Sequence, residues 1–289
     1  MKNKMFEEVM KMTSFEDEDS ENGQNYTINS PDIQMHSSEV GIYIFGKPKN
    51  WRSSFKNHPE LIQILRKKNI SKVYIPNVST FSGCLALDKD FLKESDIDEI
   101  EIMNGCLSEG LILPPSSAIF LTTADCYTVT CHNPIDKTLI VFHAGLGSVV
   151  DKMKINIGVP SRLHESIIDD LMKYITNPHE YDIFINCGIS SLSFRYDIKN
   201  PSYGENNMKI LNYLIENYKE AVPHGLKYGG ISIKNILIEQ LLNYGFLRGK
   251  IRDDDGIDTA SDYRFWSHYR AFELGDKECG RNGILVIHK

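Results

Sequence analysis

The stretch Thr122-Thr123-Ala124-Asp125-Cys126-Tyr127-Thr128-Val129 is followed by a second apolar run, Thr138-Leu139-Ile140-Val141-Phe142, which ends in His143-Ala144-Gly145. Both runs are short and rich in β-branched and aromatic residues, the pattern of strands rather than helices. Asn133-Pro134-Ile135-Asp136 between them reads as a hairpin connection. A hairpin of this length brings its outer ends side by side. Cys126 precedes the first run and His143 closes the second, so the pairing places a thiol within reach of an imidazole.

Such a pair is either half of a soft-metal site or a nucleophile with its base. The same two residues would also serve as a packed thiol and a satisfied histidine, since free cysteine is among the most buried residue types. The surrounding loops favour chemistry. Asp125 is a charge at a strand edge where packing alone would choose an apolar residue. Gly145 and Gly147 follow His143, and small residues let backbone and ligand approach closely.

Elsewhere the chain alternates irregularly between strand and helix patterns. Val40–Gly46, Lys72–Pro76, Ala118–Leu121, Asp182–Gly188, Arg264–Arg270 and Gly283–Ile287 read as strands, and Phe194–Ile198 as an extended piece. Helical spacing covers Pro59–Lys68, a segment from Pro160 to Ile175, Met208–Tyr218, and a helix opened by Ser232 and ended by Gly245. Asp88 to Asp98 reads as an acidic connection. Without strict βαβ alternation, the class is α+β. Residues 1–38, with Glu16-Asp17-Glu18-Asp19-Ser20-Glu21 at their centre, read as a mobile acidic arm. Residues 39–289 read as a single domain, large enough for a sizeable core.

Composition narrows the partners. A formal net charge of −7 argues against nonspecific nucleic-acid binding, which needs a basic footprint. No run of 18 apolar residues suggests a membrane span. The N-terminus lacks the apolar core of a secretory signal, so a cytoplasmic location is expected, with signal-less export as an effector the alternative. The six cysteines include no CxxC pair and read as free thiols of a reducing compartment. Neither a GxGxxG nor a Walker loop is present.

Thr123-Ala124-Asp125-Cys126 and His143-Ala144-Gly145, with Asn235, Gln240-Leu241, Gly245, Thr259, Phe265-Trp266-Ser267-His268-Tyr269-Arg270 and Gly280-Arg281 in order behind them, resemble the YfiH-type (laccase-domain, multicopper polyphenol oxidoreductase-like) family. Members of that family are regarded as purine nucleoside phosphorylases with adenosine deaminase activity. The resemblance implies a four-layer α/β/β/α sandwich of two related halves with mixed sheets. It also implies an enzyme acting on a small-molecule nucleoside and phosphate, with Asp125 orienting the site and Ser79, Arg270, Arg281 and His268 on the substrate side. The family's zinc takes two histidines and one cysteine, and Cys126 and His143 match two of these ligands. Ser79 stands where the third, a histidine, is expected, with His132 or His268 as the remaining imidazoles. Tyr269 and Leu146-Gly147 replace other expected residues, including arginines suited to phosphate.

The catalytic domains of cytotoxic necrotizing factor-type toxins resemble the same fold and deamidate protein glutamine with a cysteine and a histidine and no metal. This chain's departures at the zinc site suit that chemistry, on a protein or small amide substrate, with Cys126 as nucleophile and His143 as base. Phe81-Ser82-Gly83-Cys84 echoes the toxins' nucleophile segment, but Cys84 reads as a packed thiol. A non-enzymatic binding relative is the third reading, in which Trp51, Tyr127 and Trp266 are packing residues.

Overall fold

The computed structural model describes residues 31–52, 55–78, 83–254, 257–273, 275 and 279–289. Its strands are β1 (Ile33–His36), β2 (Val40–Phe45), β3 (Lys72–Tyr74), β4 (Leu85–Ala86), β5 (Leu92–Ile97), β6 (Ile100–Asn104), β7 (Gly110–Leu113), β8 (Ser117–Thr123), β9 (Tyr127–His132), β10 (Leu139–Ala144), β11 (Asp182–Asn186), β12 (Ile251–Asp253) and β13 (Asn282–His288). Its α-helices are α1 (Pro59–Lys67), α2 (Leu146–Val149), α3 (Lys152–Ile157), α4 (Ile167–Leu171), α5 (Gly204–Asn217), α6 (Gly225–Tyr228), α7 (Ile233–Asn243) and α8 (His268–Glu273). Among the described residues no helix is long and apolar enough to cross a membrane.

The strands form two mixed sheets. One runs in the order β1-β2-β13-β8-β3-β6-β5, the other β12-β11-β9-β10-β7-β4. Strand periodicity explains how they stack. In β8, β10 and β13 both faces are apolar, so successive residues feed two different cores. Ile119, Leu121, Ile284 and Val286 of the first sheet meet Leu111, Leu113, Leu139 and Val141 of the second in a central core. Ala118, Phe120, Leu285 and Ile287 turn the other way, onto Leu61 and Leu65 of α1. Val129, Ile140, Phe142 and Ile183 turn outward beneath the helices, against Leu171, Leu211, Leu214 and Leu237. Three cores between four layers give the expected α/β/β/α arrangement and the α+β class.

Some local expectations give way. Ile33–His36, assigned to the arm, pair antiparallel with β2 as an edge strand. The central acidic cluster of the arm lies outside the described residues. Leu92–Ile97, assigned to a connection, pair with β6, because an edge strand tolerates charged residues on its open side. The helix expected from Pro160 shrinks to α4. The Arg162 guanidinium binds the carbonyls of His164 and Glu165, and Ser166 caps α4 by accepting from the Asp169 amide. Phe194–Ile198 contributes only a bridge from Arg195 to Gly230. Arg264–Arg270 is not a strand: Ser267 Oγ accepts from the Arg270 amide and turns the chain into α8.

Candidate active site

The β9–β10 hairpin forms with Ala144 opposite Tyr127 and His143 opposite Thr128. Cys126 lies immediately before β9. A tight turn delivers it from β8: Thr123 Oγ1 donates to the Cys126 carbonyl at 2.7 Å, and Asp125 adopts φ +81°, a left-handed conformation that aspartate tolerates better than most residues. The Cys126 sulfur and the His143 imidazole sit together beside Gly145, close enough for the sulfur to act on the charge of the ring.

The third member, Glu109, comes from the residue just before β7. His143 donates its amide to the Glu109 carbonyl at 2.8 Å, and its Nδ1 meets Glu109 Oε2 at 2.8 Å. Glu109 is fully buried, and its Oε1 has no hydrogen-bond partner among the described residues. With Nδ1 engaged by Glu109, Nε2 is the ring nitrogen left for the thiol. Burial works to lower the His143 pKa, but the adjacent Cys126 sulfur and the Glu109 carboxylate outweigh it and hold it up at about 10. Gly145 completes the close packing. A Cβ there would stand 2.8 Å from Cys126 Sγ and 3.4 Å from His143 Cε1.

Cys126 and His143 open onto a cavity of about 820 Å³, within the usual range for small-molecule sites. Phe55, Phe120, Ile75 and Val78 supply apolar wall. Arg52, Lys56, His268 and Arg281 supply cationic or imidazole groups.

His268 and Arg281 thus share the cavity with the thiol–imidazole pair. Arg270 does not. It is buried, and its guanidinium donates to the carbonyls of Thr259, Ala260, Asp262 and Phe265, which makes it a clamp on the 259–265 loop rather than a substrate contact. Asp125 also acts through structure. Its Oδ1 accepts from Thr259 Oγ1 at 2.7 Å and its Oδ2 from the Tyr269 amide at 2.6 Å, tying the cysteine turn to α8. Ser79 and the Phe81-Ser82 half of the toxin-like segment lie outside the described residues.

Cys84 is half-buried, with its thiol pushed up by burial. His132 sits at the far end of β9 facing Glu39, about 20 Å from Cys126 at strand rise. Trp51, Tyr127 and Trp266 are buried. Glu109, Arg52 and Lys56 escaped the reading of the sequence. Lys152 did too: burial lowers its pKa, with the Cys126 sulfur close enough to oppose that.

An open catalytic zinc site takes three protein ligands. Two such donors, Cys126 and His143, converge here. Among the described residues no three His, Cys, Asp or Glu side chains group to hold a metal. These donors do not complete a zinc site.

Fold and site together define an α+β protein of two stacked sheets whose thiol–imidazole–carboxylate chain faces a cavity. Solved structures share this fold. Bacillus licheniformis hypothetical protein YfiH is 15% identical with a TM-score of 0.56, over 86% of this chain and 93% of that one. Neisseria meningitidis protein NMB0706 (DUF152) is 12% identical with a TM-score of 0.58, over 88% and 96%. YlmD from Geobacillus stearothermophilus is 13% identical with a TM-score of 0.57, over 87% and 93%. At these identities the likeness is one of fold. No protein-family model and no curated protein matches the sequence.

Proposed function

We propose that the protein is a thiol-dependent amidohydrolase that converts a carboxamide to a carboxylate. The observation that carries this reading is a single imidazole held by Glu109 on Nδ1 with the Cys126 sulfur beside the same ring. That is the order of groups that activates a nucleophile. His143 takes the thiol proton and the sulfur attacks the carboxamide carbon. Collapse of the tetrahedral adduct breaks the C–N bond, and His143 gives its proton to the departing ammonia. His143 then takes a proton from water, whose oxygen attacks the thioester. The carboxylate leaves and the sulfur regains a proton. Glu109 stays ionised throughout and holds the ring in one tautomer.

The test is ammonia release from small and peptide carboxamides, with acid-quenched mass spectrometry for the thioester on Cys126. Turnover lost in Cys126→Ala and His143→Ala, with folding retained, is expected. Undiminished turnover in Cys126→Ala would remove the reading.

A nucleoside enzyme is the second reading, favoured by the aromatic and cationic walls of one cavity, Phe55 and Phe120 with Arg281 and His268. It expects phosphate-dependent adenine release from adenosine that is lost in Cys126→Ser. If the thiol is unreactive and both activities are absent, a binding role takes their place.

A further inference from the structure

The cavity is cationic in a chain whose formal net charge is −7. Among the described residues its one acidic wall residue, Glu94, is already engaged: Lys56 Nζ lies 3.3 Å from Oε1, and Asn104 donates to Oε2 at 3.1 Å. Two arginines remain, and backbone hydrogen bonds join the segments that carry them. Trp51 donates its amide to the Arg281 carbonyl at 3.1 Å, and the Arg281 amide donates to Asn50 Oδ1 at 3.1 Å, so Arg52 follows directly on the contact. The Arg281 guanidinium reaches the Gly280 carbonyl and the Cys279 sulfur. Neither arginine has an acidic partner among the described residues, and both line the cavity that Cys126 faces. Guanidinium forks suit planar oxyanions.

Resting on the amidohydrolase reading, we infer that the substrate is a small carboxamide that also carries a carboxylate, and that Arg52 and Arg281 bind that carboxylate while the amide lies at Cys126. The pair selects substrate and takes no part in the bond changes.

Alkylation of Cys126 by iodoacetate, which carries a carboxylate, and by iodoacetamide, which does not, reads this without turnover. In each case the thiolate displaces iodide. The rate ratio of iodoacetate to iodoacetamide at Cys126, located by peptide mapping, is expected to exceed that of free N-acetylcysteine by roughly tenfold, as for electrostatic steering. It should fall to the free-thiol value in the Arg52→Gln/Arg281→Gln double variant. An unchanged ratio in either protein overturns the inference while leaving a reactive thiol, and so the amidohydrolase reading, intact.

Binding to Cys126→Ala gives an independent measurement that survives an unreactive thiol. N-acetylglutamine should bind more tightly than the neutral N-acetylglutaminamide, and the preference should vanish in the arginine variant. Equal binding overturns the inference, as does protection of Cys126 by inorganic phosphate but not by N-acetylglutamine.

Discussion

The proton on His143 decides what Cys126 can do. Replacing Glu109 by glutamine keeps the shape but removes the charge and lets the ring turn to the wrong tautomer. Turnover should fall by roughly a hundredfold to ten-thousandfold, as when the carboxylate of a triad is neutralised, with KM little changed. The same ring makes stability depend on pH. The folded-state value of His143, about 10, lies above its ordinary 6.5. Its contribution is therefore full below about 6.5, shrinks as pH rises, and is lost above about 10. Urea midpoints across that window should fall more steeply for the native chain than for His143→Gln. Gly145 has an ordinary φ of −93°, so its missing side chain matters for space and not for conformation. Gly145→Ala would push on the sulfur, and we expect slower iodoacetamide labelling of Cys126 with a near-native melting temperature.

Among the elements, the β8–β9 turn is fastened from outside the hairpin. The Asp125 carboxylate holds Thr259 and the first turn of α8, and its carbonyl accepts from the Ile189 amide at 2.8 Å. Removing the carboxylate leaves a buried hydroxyl and a backbone amide without partners. Asp125→Ala should cost about 1–3 kcal/mol, measured by denaturant unfolding, and should lower labelling at Cys126 because the turn that aims it loosens. A charge beside the cysteine was legible as out of place in a strand edge. That it faces away from the chemistry was not, because its partners are 134 and 144 positions distant. For Arg264–Arg270, the aromatic residues suggested a strand, while the cap from Ser267 and the pull of Asp125 on the Tyr269 amide favour a helical turn.

Across the whole molecule, β7 joins the central core to the site. Leu111 is fully buried between the sheets, two residues after Glu109. Leu111→Ala should destabilise the chain by about 2–5 kcal/mol, read from the urea midpoint. Stacking of the two sheets also assembles the cavity. Its walls draw Ile75 and Val78 from just beyond β3, Phe120 from β8, His268 from α8 and Arg281 from the approach to β13, segments separated by most of the chain.

Local pattern alone specified the apolar runs of the hairpin, its turn, and therefore the meeting of Cys126 with His143, because strand period and loop length act over neighbouring residues. It also carried, in outline, the α+β class and the opening of a helix at Ser232. The partner of the imidazole was beyond it. Glu109 is one of 39 acidic residues, and only the register of β7 against β10 sets it beside His143. Tertiary packing likewise took Arg270 out of the site and brought Arg52 into it, since a guanidinium's role depends on whether carbonyls or open space surround it.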